Sequence, residues 1–181
     1  MVAKHEMRLV ALRGRWYEMN IVLAPNPLLR QVCDPCQRGD KSLKRLSKQM
    51  AKIMYKSNGC GLAAPQVGVL QRKNPITLVN PEVVETWGEV LTEKEGCLSI
   101  PGISVPIARP RFARVRYYDL DGEECMIEGD GLLGRCLQHE TDHLDGRTMF
   151  EAATPMVRMQ ALRDYEYALA HGAKPGDVGD D

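Results

Sequence analysis

The residues with the clearest chemical potential are two histidines and a glutamate in the stretch 138–144, which reads Gln-His-Glu-Thr-Asp-His-Leu. Histidines four positions apart, here His139 and His143, project from the same face of a helix, so both rings can bind one metal ion. Glu140 then lies beside the first ligand, within reach of a water molecule at the metal. The chain contains only four histidines, and two of them lie here. This concentration favours a metal site over a surface helix with two solvated histidines.

A catalytic metal at this pattern needs a third protein ligand, because such sites use three ligands and a water molecule. The spacing found in metzincins would require a histidine at position 149, which is Met149. The gluzincin arrangement would use a downstream glutamate, either Glu151 or Glu166. Upstream, Cys97 lies in a polar, glycine-flanked stretch and is a further candidate. The residue types and spacings leave these candidates open.

The elements that must position these side chains are a helix and the strands before it. An apolar run leads into the two histidines, and Asp130 is a candidate N-cap, so the pattern is expected on a helix. Before it, apolar and polar residues alternate over 111–120, Asp121-Gly122 provides a turn, and a second strand passes through Cys125 and Ile127. The sequence therefore predicts a hairpin directly before the metal-binding helix.

Further helices and strands are predicted on both sides of this unit. Apolar residues at helical spacing predict an amphipathic helix over 40–57, whose basic opposite face we interpret as solvated rather than as an RNA-binding surface. Short strands are predicted over 76–79 and 83–86, and a last helix from about 155 to 170. The residues expected to face inward from that last helix are Val157, Ala161, Leu162, Tyr165 and Leu169. Short antiparallel strands around a central metal-binding helix, with one helix in the N-terminal half and one at the C-terminus, predict an α+β fold.

Length and composition limit the classes of protein to which the chain can belong. With 181 residues, 44% hydrophobic and 27% charged, it is expected to form one catalytic domain over 21–170. Residues 1–20 are expected to be an N-terminal extension and 171–181 a disordered tail. The net charge of zero gives no support for specific nucleic-acid binding. Without a membrane-spanning apolar run or a secretory signal pattern, the expected location is the cytoplasm.

Six cysteines in a chain without a secretory signal pattern are expected to remain reduced. Cys33 and Cys36 have the spacing of half a zinc site or of a redox pair. A second CxxC and a βαβ context are both missing, so we interpret this pair as structural.

Three motifs together resemble the peptide deformylase family. Residues 59–66 (Gly-Cys-Gly-Leu-Ala-Ala-Pro-Gln) are similar to its GxGxAAxQ motif, 95–99 (Glu-Gly-Cys-Leu-Ser) to its EGCLS motif, and 138–144 to its QHExDHL motif. The resemblance covers residues 21–165 in the family's order. It implies a hydrolase that removes the formyl group from the N-terminal formyl-methionine of newly made bacterial proteins and releases formate. Transient association with the ribosome would be compatible with such a substrate.

The resemblance also implies a role for each motif residue that does chemistry. Cys97, His139 and His143 would hold one divalent metal ion, typically Fe²⁺ in the family, with Zn²⁺, Ni²⁺ or Co²⁺ accepted. Glu140 would take a proton from the attacking water and pass it to the leaving amine. The Leu98 backbone N–H and the Gln66 side chain would donate hydrogen bonds to the formyl oxygen.

Substrate binding would fall to the first motif and to the helix. Gly59 and Gly61 would let an extended peptide pair with the backbone of the segment that includes Leu62. The methionine side chain would enter a pocket near Cys60, Cys136 and His139. Glu95 and Arg109 would form a buried pair that supports the ligands.

The chain departs from the family between its first and second motifs. Family members usually have a central apolar strand there, whereas residues 69–75 show no strand pattern. Either the sheet has one strand fewer or an internal segment is missing at this point, and the second is favoured because loss of a core strand normally unfolds a domain. Two other functions are considered: a gluzincin-like endopeptidase with Glu166 as ligand, and a metal-binding or ribosome-associated protein without activity. The presence of Glu140 and Gln66 argues against the latter.

Overall fold

The structure is a computed structural model and describes residues 20–63 and 76–179. After a 3-10 helix, Pro27–Arg30, the described chain contains four α-helices and three strands, whose bounds follow. They are α1 (Lys41–Lys56), β1 (Val79–Cys97), β2 (Ile100–Tyr118), β3 (Glu124–Asp130), α2 (Gly131–Leu144), α3 (Met149–Ala152) and α4 (Pro155–Ala170). The strands form one antiparallel sheet in the order β1-β2-β3. The predicted α+β class is confirmed.

Strand β2 is the centre of the main hydrophobic core. Its alternate residues Ile103, Val105 and Ile107 are buried on one face, as the two-residue period of a strand requires. Phe150 of α3 and Tyr165 of α4 belong to the same cluster. Cys97, the last residue of β1, is also in this cluster. The core therefore holds in place the strand end that carries one of the candidate ligands.

The strands are longer than the sequence predicts: the short strand expected over 83–86 is part of a longer one, and of the strand expected over 76–79 only Val79 is in a strand. One strand, β1, runs for 19 residues, and the sheet register is irregular between Val79 and Glu82, where Asn80 has φ +50°. Much of β1 is exposed on both faces, so its side chains do not alternate between apolar and polar. Strand β2 begins at Ile100 instead of 111. Its first half contains prolines, which are uncommon within strands, so the sequence does not predict a strand there. The predicted hairpin between β2 and β3 is confirmed.

The amphipathic helices lie where the sequence predicts them. The side chain of Asp40 accepts a hydrogen bond from Ser42 N–H at the start of α1, and Met50 and Met54 are buried below it. For α4 the bounds agree, but two of its five predicted inward residues are wrong: Leu162 is 40% exposed and Leu169 is 37% exposed.

The segment after α4 differs from the disordered tail that the sequence predicts. Gly102 N–H donates to Asp177 O over 3.0 Å, and Asp177 N–H donates to Lys174 O over 2.9 Å. These bonds place the described residues up to 179 against the start of β2.

Three predictions fall outside the described residues. They concern the N-terminal extension except for Asn20, the side chain of Gln66, and the stretch 69–75. Among the helices that the structure describes, none is long and apolar enough to cross a membrane.

Helix α2 lies unusually close to the sheet, and this closeness positions the site. A Cβ atom on Gly134 would lie 2.6 Å from Arg111 O and 2.8 Å from Gly129 O, distances that side-chain carbons do not tolerate. Leu137, further along α2, packs with Val115 of β2. The helix is thereby held against β2 and β3 with His139 and His143 facing inward.

Candidate metal centre

Three potential metal-binding atoms converge where the end of β1 meets α2. His143 Nε2 lies 3.2 Å from His139 Nε2 and 3.3 Å from Cys97 Sγ. A tetrahedral ion with bonds of about 2.3 Å to sulfur and about 2.0–2.1 Å to nitrogen would separate its nitrogens by about 3.3 Å and sulfur from nitrogen by about 3.5 Å. Both distances from His143 therefore match one shared ion, and all three ligand atoms lie within 4.8 Å of one another. Within the described residues, no other group of three or more such side chains gathers in this way.

The local structure explains why these three residues meet. Cys97 ends β1 and pairs with Ile100 across the tight turn that begins β2, while the two histidines lie one turn apart on α2. All three side chains are buried. The glutamates considered as the third ligand lie elsewhere: Glu166 is exposed on α4, and Glu151 accepts bonds from Thr148 in the capping box of α3. The gluzincin alternative is therefore wrong.

The electrostatics of the group favour a cation. Burial raises the pKa of the Cys97 thiol, but the adjacent His143 and His139 outweigh burial, and the pKa falls to about 5. Desolvation lowers the pKa of His139, but hydrogen bonds to Cys97 and Glu95 outweigh it, so that this pKa is raised. The negative charge of the Cys97 thiolate is thus stabilised by the proton held at His139, and a metal ion would take the place of that proton.

A buried carboxylate orients the first histidine. Glu95 Oε2 lies 2.9 Å from His139 Nδ1, and Glu95 also receives two bonds from Arg109, 2.6 Å from Nε and 3.1 Å from Nη2. Arg109 Nη1 donates in addition to Asp142 over 2.9 Å. Burial raises the pKa of Glu95, but His139 and Arg109 lower it more, to about 2. An ionised Glu95 keeps the proton of His139 on Nδ1, which leaves Nε2 as the atom that faces Cys97 and His143.

Arg135 is a member of this network that was not predicted from the sequence. Its guanidinium is buried and donates to Glu95 Oε1 over 2.8 Å. A signal was present: a cation stands within the apolar run of α2, four residues before His139. A charged side chain on an apolar helix face needs a buried partner, and this requirement could have identified it.

Glu140 borders the ligand group with one oxygen unpaired. Its Oε2 atom is buried and has no hydrogen-bond partner among the described residues. Burial raises the pKa of Glu140 to about 7, against the lowering effect of His139 and His143. A cation at the adjacent site would lower this pKa by direct attraction. Beside a bound cation the carboxylate would therefore be ionised at neutral pH and available as a proton acceptor.

The first motif runs past Glu140 as irregular backbone after α1. At Gly61 a Cβ atom would overlap Glu140 Oε1 and lie 2.7 Å from Cys136 Sγ. Leu62 is buried, and Cys60 is exposed. A hydrogen bond from Cys136 lowers the pKa of the Cys60 thiol to about 6. The segment 59–62 and Cys136 thus form one wall beside the carboxylate.

An apolar groove of about 330 Å³ lies beside Glu140, between α1, α2 and the start of β1. Its lining includes Leu43, Leu137 and Leu144 together with Cys136 and Glu140. Of the three residues expected around a methionine side chain, Cys136 lines this groove, whereas Cys60 and His139 do not.

The CxxC pair does not form a second metal centre in the described part of the chain. Cys33 and Cys36 belong to no group of three or more potential metal ligands. Burial raises the pKa of both thiols, which makes them less reactive than ordinary cysteines.

Comparison with known proteins agrees with this geometry. A sequence model described as polypeptide deformylase matches residues 18–159. The chain belongs to the polypeptide deformylase family. The peptide deformylase of Hydrogenovibrio crunogenus is 39% identical over 166 residues, which cover 86% of this chain and 98% of that protein. The peptide deformylase of Bartonella quintana is 37% identical over 158 residues, covering 81% of this chain and 90% of the relative.

Solved structures agree with the fold. The crystal structure of a peptide deformylase from Legionella pneumophila has a TM-score of 0.78 and 35% identity, and the match covers 84% of this chain and 95% of that one. A peptide deformylase from Synechococcus elongatus, solved in complex with actinonin, has a TM-score of 0.75 and 32% identity, with coverage of 88% and 96%. The protein is thus a metal-dependent hydrolase that removes the formyl group from N-terminal formyl-methionine. A divalent metal at Cys97, His139 and His143 agrees with this activity.

Proposed function

We propose that Cys97, His139 and His143 hold one Fe²⁺ ion and that Glu140, Gln66 and the Leu98 N–H carry out deformylation of nascent formyl-methionyl peptides. The observation that carries this proposal is the convergence of one thiolate and two imidazoles beside a carboxylate oxygen that has no partner among the described residues. A divalent ion bound there would act as a Lewis acid and would lower the pKa of water.

Glu140 moves the proton in the proposed reaction. Its unpaired Oε2 accepts a proton from the water that attacks the formyl carbon, and the same oxygen then passes it to the departing amine. The C–N bond of the formamide breaks, a C–O bond forms, and the products are formate and the free amino terminus. A divalent ion beside Glu140 would lower the pKa of this carboxyl from its metal-free value of about 7, so the carboxylate would be ionised before the attack and able to accept the proton of the water.

Two donors stabilise the negative charge that develops on the formyl oxygen. Leu98 lies in the turn between β1 and β2, next to Cys97, so its backbone N–H belongs to the rigid end of the hairpin. The second donor is the Gln66 side chain, which motif similarity assigns. Removal of one such donor typically lowers the rate by about 10²–10³-fold.

The substrate is an extended formyl-methionyl peptide that pairs with the backbone of Gly59, Cys60, Gly61 and Leu62. Cys60 and Cys136 offer apolar, polarisable sulfur to the methionine side chain. Such peptides arise on the ribosome, so we place the protein in the bacterial cytoplasm, with transient contact to translating ribosomes.

The assignment is tested by anaerobic formate release from formyl-Met-Ala-Ser with Fe²⁺-loaded protein. Acetyl-Met-Ala-Ser serves as the control, since it differs at the acyl group alone. Formate release without cleavage of internal peptide bonds supports the proposal. A folded, Fe²⁺-loaded protein that releases no formate would overturn it. Metal analysis of protein purified anaerobically tests the choice of iron, and a predominance of zinc would contradict that part.

Replacing Gly61 with alanine is expected to lower formate release by about 10²-fold, because the new methyl group would displace the Glu140 carboxylate. The matched control is Gly59→Ala, where a Cβ atom would meet the flexible end of Leu98, Cδ1, at 2.7 Å. That side chain can rotate away, so a smaller loss is expected. Steady-state kinetics on both variants decide the matter: equal losses would show that Glu140 is not the group displaced.

A further inference from the structure

The buried guanidinium of Arg135 uses all three of its nitrogens. Nη1 donates to Glu95 Oε1 over 2.8 Å and to Ile107 O over 2.9 Å, and Nη2 donates to Leu91 O over 2.9 Å. Nε donates to Glu93 Oε2 over 3.0 Å. The residue is only 7% exposed. One side chain on α2 is therefore bonded to β1 at Leu91, Glu93 and Glu95, and to β2 at Ile107.

Arg135 and Arg109 hold the same carboxylate from two directions. Glu95 Oε1 accepts from Nε of Arg109 and from Nη1 of Arg135, while Oε2 accepts from Arg109 Nη2 and faces His139 Nδ1. The bidentate bond from Arg109 aligns the carboxylate, and Arg135 adds a third hydrogen bond to it from α2. With the second guanidinium in place, the direction of Oε2 towards His139 is fixed.

The same side chain also links the two elements that carry the ligands. Arg135 precedes His139 by one helical turn on α2, and Glu95 precedes Cys97 by two residues on β1. The bond between Arg135 and Glu95 therefore spans the gap between the helix and the strand directly beside the metal centre. A change in this bond alters the separation of Cys97 from the two histidines.

We propose that Arg135 is a positioning residue of the metal centre: by clamping Glu95 and joining α2 to β1, it sets the orientation of His139 and the distance between the ligands. This inference rests on the ligand set of the proposed function. This positioning requires the planar guanidinium, whose several N–H donors have fixed directions, and neither lysine nor methionine has such a group. Loss of Arg135 would leave Glu95 under-bonded and the Leu91 and Ile107 carbonyls without this donor.

The test is the metal affinity of Arg135→Met and Arg135→Lys, measured by chelator competition with Co²⁺ and Zn²⁺. Arg114 is half-buried, lies away from the metal centre and pairs with Glu85 and Glu128, so Arg114→Met gives the control. Loss of a residue that orients a ligand typically weakens metal binding by about 10–100-fold, and we expect this range for both Arg135 variants and no change for the control. The visible spectrum of bound Co²⁺ should shift as well. At saturating metal, kcat should fall while KM stays close to that of the parent.

A role confined to stability predicts a different result. Folded Arg135 variants with the parent's metal affinity and the parent's Co²⁺ spectrum would overturn the proposal, whatever their melting temperature. If Arg135→Met does not fold, Glu93→Gln provides the second variant, since it weakens a single bond to Arg135 at a half-exposed position. It should weaken metal binding in the same direction and by a smaller factor, and unchanged affinity would again contradict the proposal. Each result is a ratio to the parent protein, so failure of the parent to release formate remains a separate finding about function.

Discussion

Glu140→Gln is expected to lower kcat/KM for formate release by about 10³-fold or more while the metal stays bound. Glutamine keeps the size of the side chain but cannot accept the proton of the attacking water. General acid–base groups contribute about 10²–10⁴-fold in rate, and a factor of 10³ corresponds to about 4 kcal/mol of transition-state stabilisation. Formate release and metal content are to be measured on the same samples. The exposed Glu128, paired with Arg114, gives the control Glu128→Gln, which should retain parental activity.

The same substitution should not destabilise the fold. Glu140 Oε2 is buried without a partner among the described residues, and burial raises the pKa of this carboxyl to about 7. An ionised carboxylate in that position opposes folding, so a neutral amide should leave the melting temperature of the metal-free protein unchanged or higher. A substitution that lowers activity without lowering the melting temperature indicates a residue that serves catalysis at a cost in stability. A variant that retains more than a tenth of the parent's activity would remove Glu140 from the proton-transfer role.

The chemistry of the site was more predictable than the sheet that supports it. His139 and His143 are identified by their spacing alone, because a helix brings residues four apart to one face. Cys97 was one of several candidates until the motifs were compared, and its position in the structure follows from a contact between β1 and α2 that no local pattern encodes. Spacing reveals ligands within one element, whereas ligands from different elements depend on the tertiary fold.

Strand β1 shows why the supporting sheet was harder to predict. The sequence predicts only short strands here because much of β1 is exposed on both faces. A strand without one buried face does not need to alternate apolar and polar residues, so its full length is not visible in the sequence. Likewise, Leu162 and Leu169 have the spacing of inward residues on α4, but the sheet beneath them covers only Ala161 and Tyr165 fully. Hydrophobic periodicity identifies the face of an element, and the partner elements decide how much of that face is buried.

The network around Glu95 lies between these two cases. Arg109 was predicted from its motif, whereas Arg135 was not, although both guanidiniums reach the same oxygen atom. A buried cation on an apolar helix face is visible in the sequence, but the identity of its partner, 40 residues away, is not. Long-range pairing of charges is a property of the folded chain.

Cys97→Ser is expected to abolish stoichiometric metal binding under conditions in which the parent binds one ion. Serine replaces the sulfur with a smaller, harder hydroxyl that stays protonated near neutral pH, so the site loses both a soft ligand and a negative charge. Residues that only orient a ligand contribute about 10–100-fold to affinity, and loss of a ligand itself should exceed that range. Metal content after dialysis against a chelator measures the effect, and the sulfur-to-Co²⁺ charge-transfer absorption should disappear.

Cys136→Ser separates loss of a ligand from burial of a hydroxyl. Cys136 is also buried and lies on the same helix as the histidines, but it does not belong to the group of three. Cys136→Ser also buries a hydroxyl in place of sulfur, which should lower the melting temperature of the metal-free protein, but it removes no thiolate from the metal centre. Only Cys97→Ser should lose the metal and its absorption. If Cys97→Ser still bound one ion tightly, the third ligand would have to come from another residue, and the assignment of Cys97 as a ligand would be wrong.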